Sequence, residues 1–430
     1  MTPQQLKASV LQMAVSGELT ADWREEHGVK ISSWQETTST NLFEYVTSGS
    51  RGWNKFYSDH GSFFIRIGNL SHGTIEIDYS KIQYVDLPNK AEGKRSIIKN
   101  GDILISITAD IGMIGLAQDV DYEGYINQHI ALARPANIKN SEFIAWYLSS
   151  TIGQKQLRNN QRGATKVGIG LDDIRGIRIS LPPYEEQLEI VRRIRAILPL
   201  IEKYGKAYTS LQQIENALPD QLRASLLQEA IQGKLVPQLD DEPAVEIDAA
   251  ELEEVPFAIP EKWRWISLGD AIVYGKAEQS IAKDIPKEAW VLDLEDIQKE
   301  RGIILQKKRN VSSTSNKNRF YRGNVLYSKL RPYLNKVVVA DEDGYCTTEI
   351  VPIDPLSNGY EIDADYLKTY LMSPYFVHYA NERAYGVKMP RLGTKDAKLA
   401  AFPLPPIAEQ RRIVERLEKL LPNIDTVAYL

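Results

Sequence analysis

Residues 181–235 read LPPYEEQLEIVRRIRAILPLIEKYGKAYTSLQQIENALPDQLRASLLQEAIQGKL. After the stop signal of Pro182 and Pro183, Ile190, Ile194, Ile197, Ile201, Tyr204, Tyr208 and Leu211 step alternately by four and three, and Leu218 lies one heptad on. That seam predicts a long helix over about 185–217, packed along its length against another helix. At ~1.5 Å per residue such a helix spans roughly 50 Å. Pro199 falls inside the pattern, and an interior proline costs ~3 kcal/mol in an isolated helix, so a kink held by the partner helix is expected there. A break at Ala217–Leu218 and a second helix from Pro219 to near Gly233 complete the expectation.

The stretch occurs again, cut in two. Residues 404–430, LPPIAEQRRIVERLEKLLPNIDTVAYL, repeat its first half, with Glu186/Glu409, Gln187/Gln410, Ile190/Ile413, Pro199/Pro422 and Ile201/Ile424 in register. Residues 3–19, PQQLKASVLQMAVSGEL, repeat its second half, with Leu6/Leu222, Ser9/Ser225, Gln12/Gln228 and Gly17/Gly233. The chain is therefore a two-fold internal repeat whose start falls inside one of its own helices. The residues matching about 205–218 have no second copy, which implies a shorter or discontinuous second rod.

Two globular segments lie between the helical stretches and correspond sparsely. Trp34 matches Trp263, Gly101–Ser106 matches Gly323–Ser328, and Tyr147–Ser150 matches Tyr370–Ser373. His129-Ile130 and Pro135 match Glu349-Ile350 and Pro355, while Gly163, Gly170 and Asp173 match Gly386, Gly393 and Asp396. Dense helix matches with sparse head matches fit a common scaffold carrying two heads that read different things. Strands are expected at 63–67, 75–77, 82–85, 102–107 and 126–133, and a helix over 141–160.

The net charge of −5 misleads until it is located. Residues 240–254 hold eight acids and no bases, more than the whole deficit, and read as a solvated linker. The rest of the chain is net positive. From Lys299 to Lys336 there are eleven Lys or Arg against Glu300 alone, interleaved with Phe320, Tyr321, Tyr327 and Tyr333. In the first head Lys155, Arg158, Arg162, Lys166, Arg175 and Arg178 stand against Asp172 and Asp173. Such clusters neutralise phosphates or read base edges, or else are solvated surface; two at corresponding places favour nucleic acid. No apolar run approaches a membrane span and no signal-peptide pattern opens the chain. The single cysteine, Cys346, fits a reducing, cytoplasmic setting, and the five scattered histidines imply no metal.

Catalytic patterns fail on their chemistry. Leu181-Pro-Pro-Tyr184 has leucine where an amino-methyltransferase needs a hydrogen-bond acceptor, and its repeat is Leu-Pro-Pro-Ile, so the motif reads as a helix start. Glu92 and Lys94 downstream of Asp86 have nuclease-like spacing of a kind that arises by chance. No phosphate-binding loop is present.

The layout resembles the specificity (S) subunit of type I restriction–modification systems. The resemblance is carried by Leu-Pro-Pro-x-x-Glu-Gln-x-x-Ile-Val at 181–191 and 404–414 and Leu-Gln-x-Ala-x-x-Gly-x-Leu at 11–19 and 227–235. Phe64–Leu70, Gly101–Ser106 and Asn127–Ile130 add to it. It implies an α/β (α+β) chain of two target-recognition domains separated by two long antiparallel helical regions. The expected order is an N-terminal helix, 1–20, completing the second helical region; a first recognition domain, 21–180; a central helical region, 181–238; an acidic linker, 239–255; a second recognition domain, 256–403; and a C-terminal helical region, 404–430.

Each head is then expected to read one half of a bipartite, asymmetric site in double-stranded DNA. The helices would set the spacing and dock two methyltransferase (M) subunits, with restriction (R) subunits joining through that complex. No cofactor is expected in this chain: S-adenosylmethionine would sit on the M subunits, ATP and magnesium on the R subunits. Half-sites one DNA turn apart lie ~34–36 Å centre to centre, within reach of a rod of that length. The rival classes are a self-contained DNA methyltransferase or nuclease, and a coiled-coil adaptor for proteins.

Expected DNA contacts in the first head are Arg66, Asn69, Ser106, Thr108, Asp110, Arg162, Thr165 and Lys166. In the second they are Lys317, Arg319, Lys329, Arg331, Tyr333, Lys388 and Arg391. Glu186, Gln187, Ile190, Ile194, Ile197, Ile201, Glu409, Gln410 and Ile413 are expected in the helix seam and at the partner-docking surface.

Overall fold

The computed structural model describes residues 1–88, 94–159, 168–247, 252, 254–310 and 315–427. The chain divides into two compact units, 1–211 and 212–430, each mixing sheet and helix.

The first unit opens with α1 (Pro3–Ser16), which carries a capping box at Thr2 and Gln5 and ends at Gly17 in the left-handed region, φ 83°. Strand β1 (Gln35–Thr38) enters the head and pairs antiparallel with β9 (Arg178–Leu181), which leaves it. Between them β2 (Phe43–Ser48), β5 (Ile103–Ser106), β6 (Ile114–Leu116) and β8 (Ile130–Pro135) form an antiparallel sheet ordered β2-β8-β5-β6. A second sheet adds Tyr57–Ser58, β4 (Gln83–Val85), β3 (Ser62–Ile65) and β7 (Gly124–Ile126), with β3 and β7 parallel. Helices α2 (Ser141–Ser149), α3 (Thr151–Asn159) and α4 (Leu171–Arg175) follow.

The second unit repeats this plan. Its entry strand β10 (Arg264–Ser267) pairs with its exit strand β17 (Ala401–Leu404) in the same register as β1 with β9. Strands β13 (Val325–Ser328), β14 (Val337–Val339) and β16 (Ile350–Ile353) form one sheet. Strands β11 (Trp290–Leu292), β12 (Lys317–Phe320) and β15 (Gly344–Thr347) form the other, with β11 and β15 parallel. Helices α6 (Ala364–Met372), α7 (Pro374–Arg383) and α8 (Thr394–Lys398) match α2 to α4, leaving α5 (Tyr184–Ile231) and α9 (Ile407–Val427) as the long helices.

Several expectations need correction. The helix expected over 141–160 is broken at Ser150, whose extended backbone ends α2 and whose hydroxyl accepts the Gly153 amide. Ser373, at the matched position, does the same for Phe376. Residues 126–133 belong to two strands separated by a turn at Gln128 and His129, and 75–77 lie outside any strand although Ile75 accepts from the Leu116 amide. No break occurs at Ala217–Leu218, because α5 runs unbroken through exposed Pro199 and buried Pro219 to Ile231. It does end just before Gly233, φ 68°, where a side chain would strike Pro260 Cγ at 2.2 Å.

At the start of the acidic segment Asp240, Asp241 and Glu246 are exposed, but the chain there is anchored. Glu242 is buried on Arg412 at 2.7 Å, and Lys262 Nζ donates to the carbonyls of Leu239, Asp240 and Glu242. Residues 248–251 and 253 lie outside the described residues.

Both helix pairs are antiparallel within their units. Met1 O accepts from Tyr204 at one end of α1, while Leu19 O and Asp22 accept from Arg193 beyond the other. In the second unit Leu222 and Leu226 meet Leu420 and Ile424, and Arg412 reaches Pro237 O. The seam is accordingly closed only at its ends. Ile190 and Ile194 are fully buried and Ile201 nearly so, whereas Leu211 and Ile214 are 52% and 61% exposed. The packing expected along the whole length fails in the middle because α1 begins opposite Gly205 and the repeat holds no second copy of the residues that follow.

Candidate nucleic-acid interface

The duplicated Leu-Pro-Pro-x-x-Glu-Gln motif joins each head to its long helix. Gln187 and Gln410 are buried, and each donates its amide to the carbonyl of Pro182 or Pro405, closing the helix start at 2.9 Å. Glu186 is fully buried and accepts from Trp34 Nε1 and Thr20 Oγ1, both at 2.8 Å, and from Arg24. Trp34 precedes the entry strand β1, so the glutamate ties head to helix. At the matched position Glu409 faces Trp263 and Gln238, Arg412 acts on it through space while pairing with Glu242, and burial pushes its carboxyl pKa up. These four side chains, with Ile190, Ile194 and Ile413, are turned inward, so they hold the seam and offer no docking surface. Ile197 is partly buried. Tyr184 begins α5 with Lys139 Nζ 5.2 Å over its ring, as a helix start and not a catalytic loop.

In the second head, three segments are stitched at the end of β13. Lys329 N donates to Glu349 O at 3.0 Å, Leu392 N to Lys329 O at 3.0 Å, and Arg331 N to Pro390 O at 2.7 Å. Glu349 grips the Arg391 guanidinium at 2.8 Å. Arg391 also exchanges backbone bonds with Tyr385, closing a short hairpin whose tip, Val387, is completely exposed. Arg331 is held in the left-handed region at φ 51°, ψ 66°. For a non-glycine residue that geometry costs about 1–3 kcal/mol and persists only where its surroundings over-determine it.

The first head repeats the stitch with other side chains. Ile107 N donates to His129 O at 2.9 Å and Ile169 N to Ile107 O at 3.0 Å. Thr108 Oγ1 lies 2.6 Å from His129 Nδ1, which takes the place of Glu349. Ala109, aligned with Arg331, is left-handed too, φ 66°.

The expected DNA contacts now separate. Asn69 is buried, accepting from Arg66 N and donating to Asp78 O. Ser106 is buried, bonded to Asp110 O and the Met113 amide. Lys317 is buried on Asp293 at 3.0 Å. All three build the fold, a correction that follows from their burial. Arg66 lies 5.8 Å over the Tyr57 ring, Asp110 is exposed beside His72, and Arg319 lies over Tyr321 with Glu278 at 3.5 Å. The stitch brings Lys329, Arg331, Lys388 and Arg391 together on neighbouring segments, with exposed Tyr333 on the same turn as Arg331. Arg162, Thr165 and Lys166 lie outside the described residues, as do Glu92 and Gly163.

Much of the 299–336 basic run is already neutralised. Lys307 and Arg309 pair with Asp341 and Glu342, Lys308 with Glu295 and Asp296, and Arg301 with Asp220. Those acids lie outside the window in sequence, which is why the run looked unopposed. Ala109, His129 and Glu349 were missed as site residues. Their signal was a polar swap, His for Glu, inside a matched Ile and Pro frame. Among the described residues no group of three or more His, Cys, Asp or Glu could hold a metal, and no helix is long and apolar enough to cross a membrane.

Residues 32–212 and 260–428 both match the model of the type I restriction modification DNA specificity domain, one match per head with its long helix. The chain belongs to that family. It is a specificity subunit, the non-catalytic DNA-recognition component of a type I restriction–modification system. It is 29% identical over 328 residues to the type I restriction enzyme EcoDI specificity subunit of Escherichia coli, covering 71% of this chain and 68% of that one. It is 30% identical over 249 residues to the StySPI specificity subunit of Salmonella potsdam, spanning about half of each (55% and 51%). In fold, the specificity subunit is similar to the crystal structure of the HsdS subunit from Thermoanaerobacter tengcongensis, with TM-score 0.53 at 17% identity over 92% of this chain and 90% of that one.

Proposed function

We propose that each head of this specificity subunit reads one half of a bipartite, asymmetric sequence in double-stranded DNA. The long helices set the half-site spacing and dock two M subunits that carry S-adenosylmethionine and methylate one adenine per half-site. R subunits, using ATP and magnesium, join through that complex. The observation that carries this reading is the shared stitch: one backbone device holds a strained residue in both heads, flanked by Thr108 and Asp110 in one and by Lys329 and Arg391 in the other. A common frame with different side chains is what two readers of different half-sites require. Mapping methylated adenines in DNA from cells carrying this chain with its M partner should give a two-part motif with a fixed spacer. A palindromic motif, or modification by the purified chain alone, would sink the reading in favour of a self-contained methyltransferase.

For docking, buried Glu186 and Gln187 give way to the exposed apolar residues of mid-α5. Leu211 and Ile214 stand more than half exposed where α5 has run past the start of α1, and Leu200 is exposed on the outer side of the paired stretch. We infer that an M subunit covers them. Leu211→Asp with Ile214→Asp should leave the unfolding midpoint unchanged and weaken capture of M by at least about tenfold, since a buried unpaired carboxylate costs several kcal/mol. Unchanged capture would exclude this face.

A further inference from the structure

Resting on the DNA-reading assignment above, we propose that Arg331 reads a guanine in the half-site of the second head, and that Ala109 leaves the first head without that contact at the equivalent point. Three observations converge on Arg331. Its main chain is pinned from both sides, by its own amide on Pro390 O at 2.7 Å and by Lys329 between Glu349 and Leu392, so the side chain leaves a fixed point. Its neighbours in the turn, Leu330 and Pro332, are buried and apolar, which makes Arg331 the one polar side chain between Lys329 and Tyr333.

The guanidinium is also uncommitted. Arg301, Arg309 and Arg319 have acidic partners, and Arg391 is gripped by Glu349. Arg331 makes no side-chain hydrogen bond or ion pair among the described residues, and its Nε is buried without a partner. Only the two terminal nitrogens are left to present outward. A rigidly mounted guanidinium offering two parallel donors matches O6 and N7 of guanine, the commonest specific arginine contact in the major groove. Lys329 and Lys388, on segments stitched to the same turn, are the phosphate-positioning charges that such a contact needs.

The first head supplies the control. Ala109 occupies the same left-handed turn at φ 66°, so the backbone device works without a guanidinium. Arg331→Ala therefore places in the second head a residue type that this turn already accommodates in the first. The purified complex with M should bind a duplex carrying its mapped motif. Replacing the relevant guanine by 7-deazaguanine, which removes N7 and keeps O6, should weaken wild-type binding by part of the roughly 5- to 150-fold that one bidentate pair is worth. Arg331→Ala, which removes both donors, should lose the larger, whole factor and become indifferent to the substitution.

In cells, both Arg331→Ala and Arg331→Lys should make that one guanine degenerate in the methylated motif and leave the other half intact. If Arg331→Lys keeps the motif, or Arg331→Ala lowers methylation evenly with the motif unchanged, the side chain is a phosphate contact and the proposal is overturned. A second half-site without guanine overturns it as well. If the wild-type complex marks no bipartite motif, the DNA-reading assignment fails first and takes this inference with it.

Discussion

Glu186→Gln should destabilise the first unit by about 3–5 kcal/mol, the usual cost of stripping one partner from a buried ion pair. Arg24 would be left with a largely buried, uncompensated cation, and Trp34 and Thr20 would share a weaker acceptor. Glu409→Gln, at the matched position of the repeat, should leave the second unit as stable as before or more so near neutral pH. Burial raises its pKa above the ordinary 4.5 and Glu242 adds to the rise, outweighing the opposing pull of Trp263, Gln238 and Arg412, which is itself paired with Glu242. The sign follows from linkage: a carboxyl whose folded pKa is raised favours the folded state when protonated. The second unit should therefore be most stable below pH 4.5 with respect to this group, and lose that contribution as pH rises through the raised value. Glu409→Gln should remove the slope. Hydrogen exchange on the full chain, comparing α1 and the start of α5 with α9 across pH, reads the two units separately. Equal losses at both sites would mean that the two glutamates do the same work and that the cation is irrelevant.

This contrast marks what the sequence carries and what it does not. The motif Leu-Pro-Pro-x-x-Glu-Gln was legible because both copies need the same helix-closing glutamine and the same inward glutamate. The repeat and the two heads followed from such matches, and the antiparallel helix pairs from the family resemblance that they carry. What answers Glu186 was hidden, since Thr20, Arg24 and Trp34 lie more than 150 positions away in sequence. The same blindness to distant partners made Lys307, Arg309 and Lys317 look free. Helix continuity through Ala217–Leu218 was missed because Pro219 was given a helix-start role that the surrounding helix overrides. Left-handed Ala109 and Arg331 could not be read at all: neither residue type favours that conformation, and only the stitch to neighbouring segments imposes it.

Reversing charge at Lys329 and Arg331 together, Lys329→Glu with Arg331→Glu, should abolish recognition by the second head, with affinity falling at least about 100-fold at physiological salt. Two terms add. One bidentate base pairing is worth about 1–3 kcal/mol, and each phosphate left unneutralised takes about 0.9 off the slope of log affinity against log salt. The double variant should therefore show both a shallower salt dependence and a half-site that no longer matters, while capture of M is unchanged. The informative comparison is Lys307→Glu with Arg309→Glu, an equal change of formal charge in the same basic run. Those two cations already face Asp341 and Glu342, so they contribute little field beyond the protein. Their reversal should lower affinity through the salt-dependent, sequence-independent term alone and leave discrimination of the half-site intact. If both double variants weaken binding equally, the head binds DNA through its overall charge and the stitched loops are not its reading surface. If only the first loses discrimination of the half-site, what selects the functional cations is the absence of an acidic partner, a property that the folded chain decides and the basic run by itself conceals.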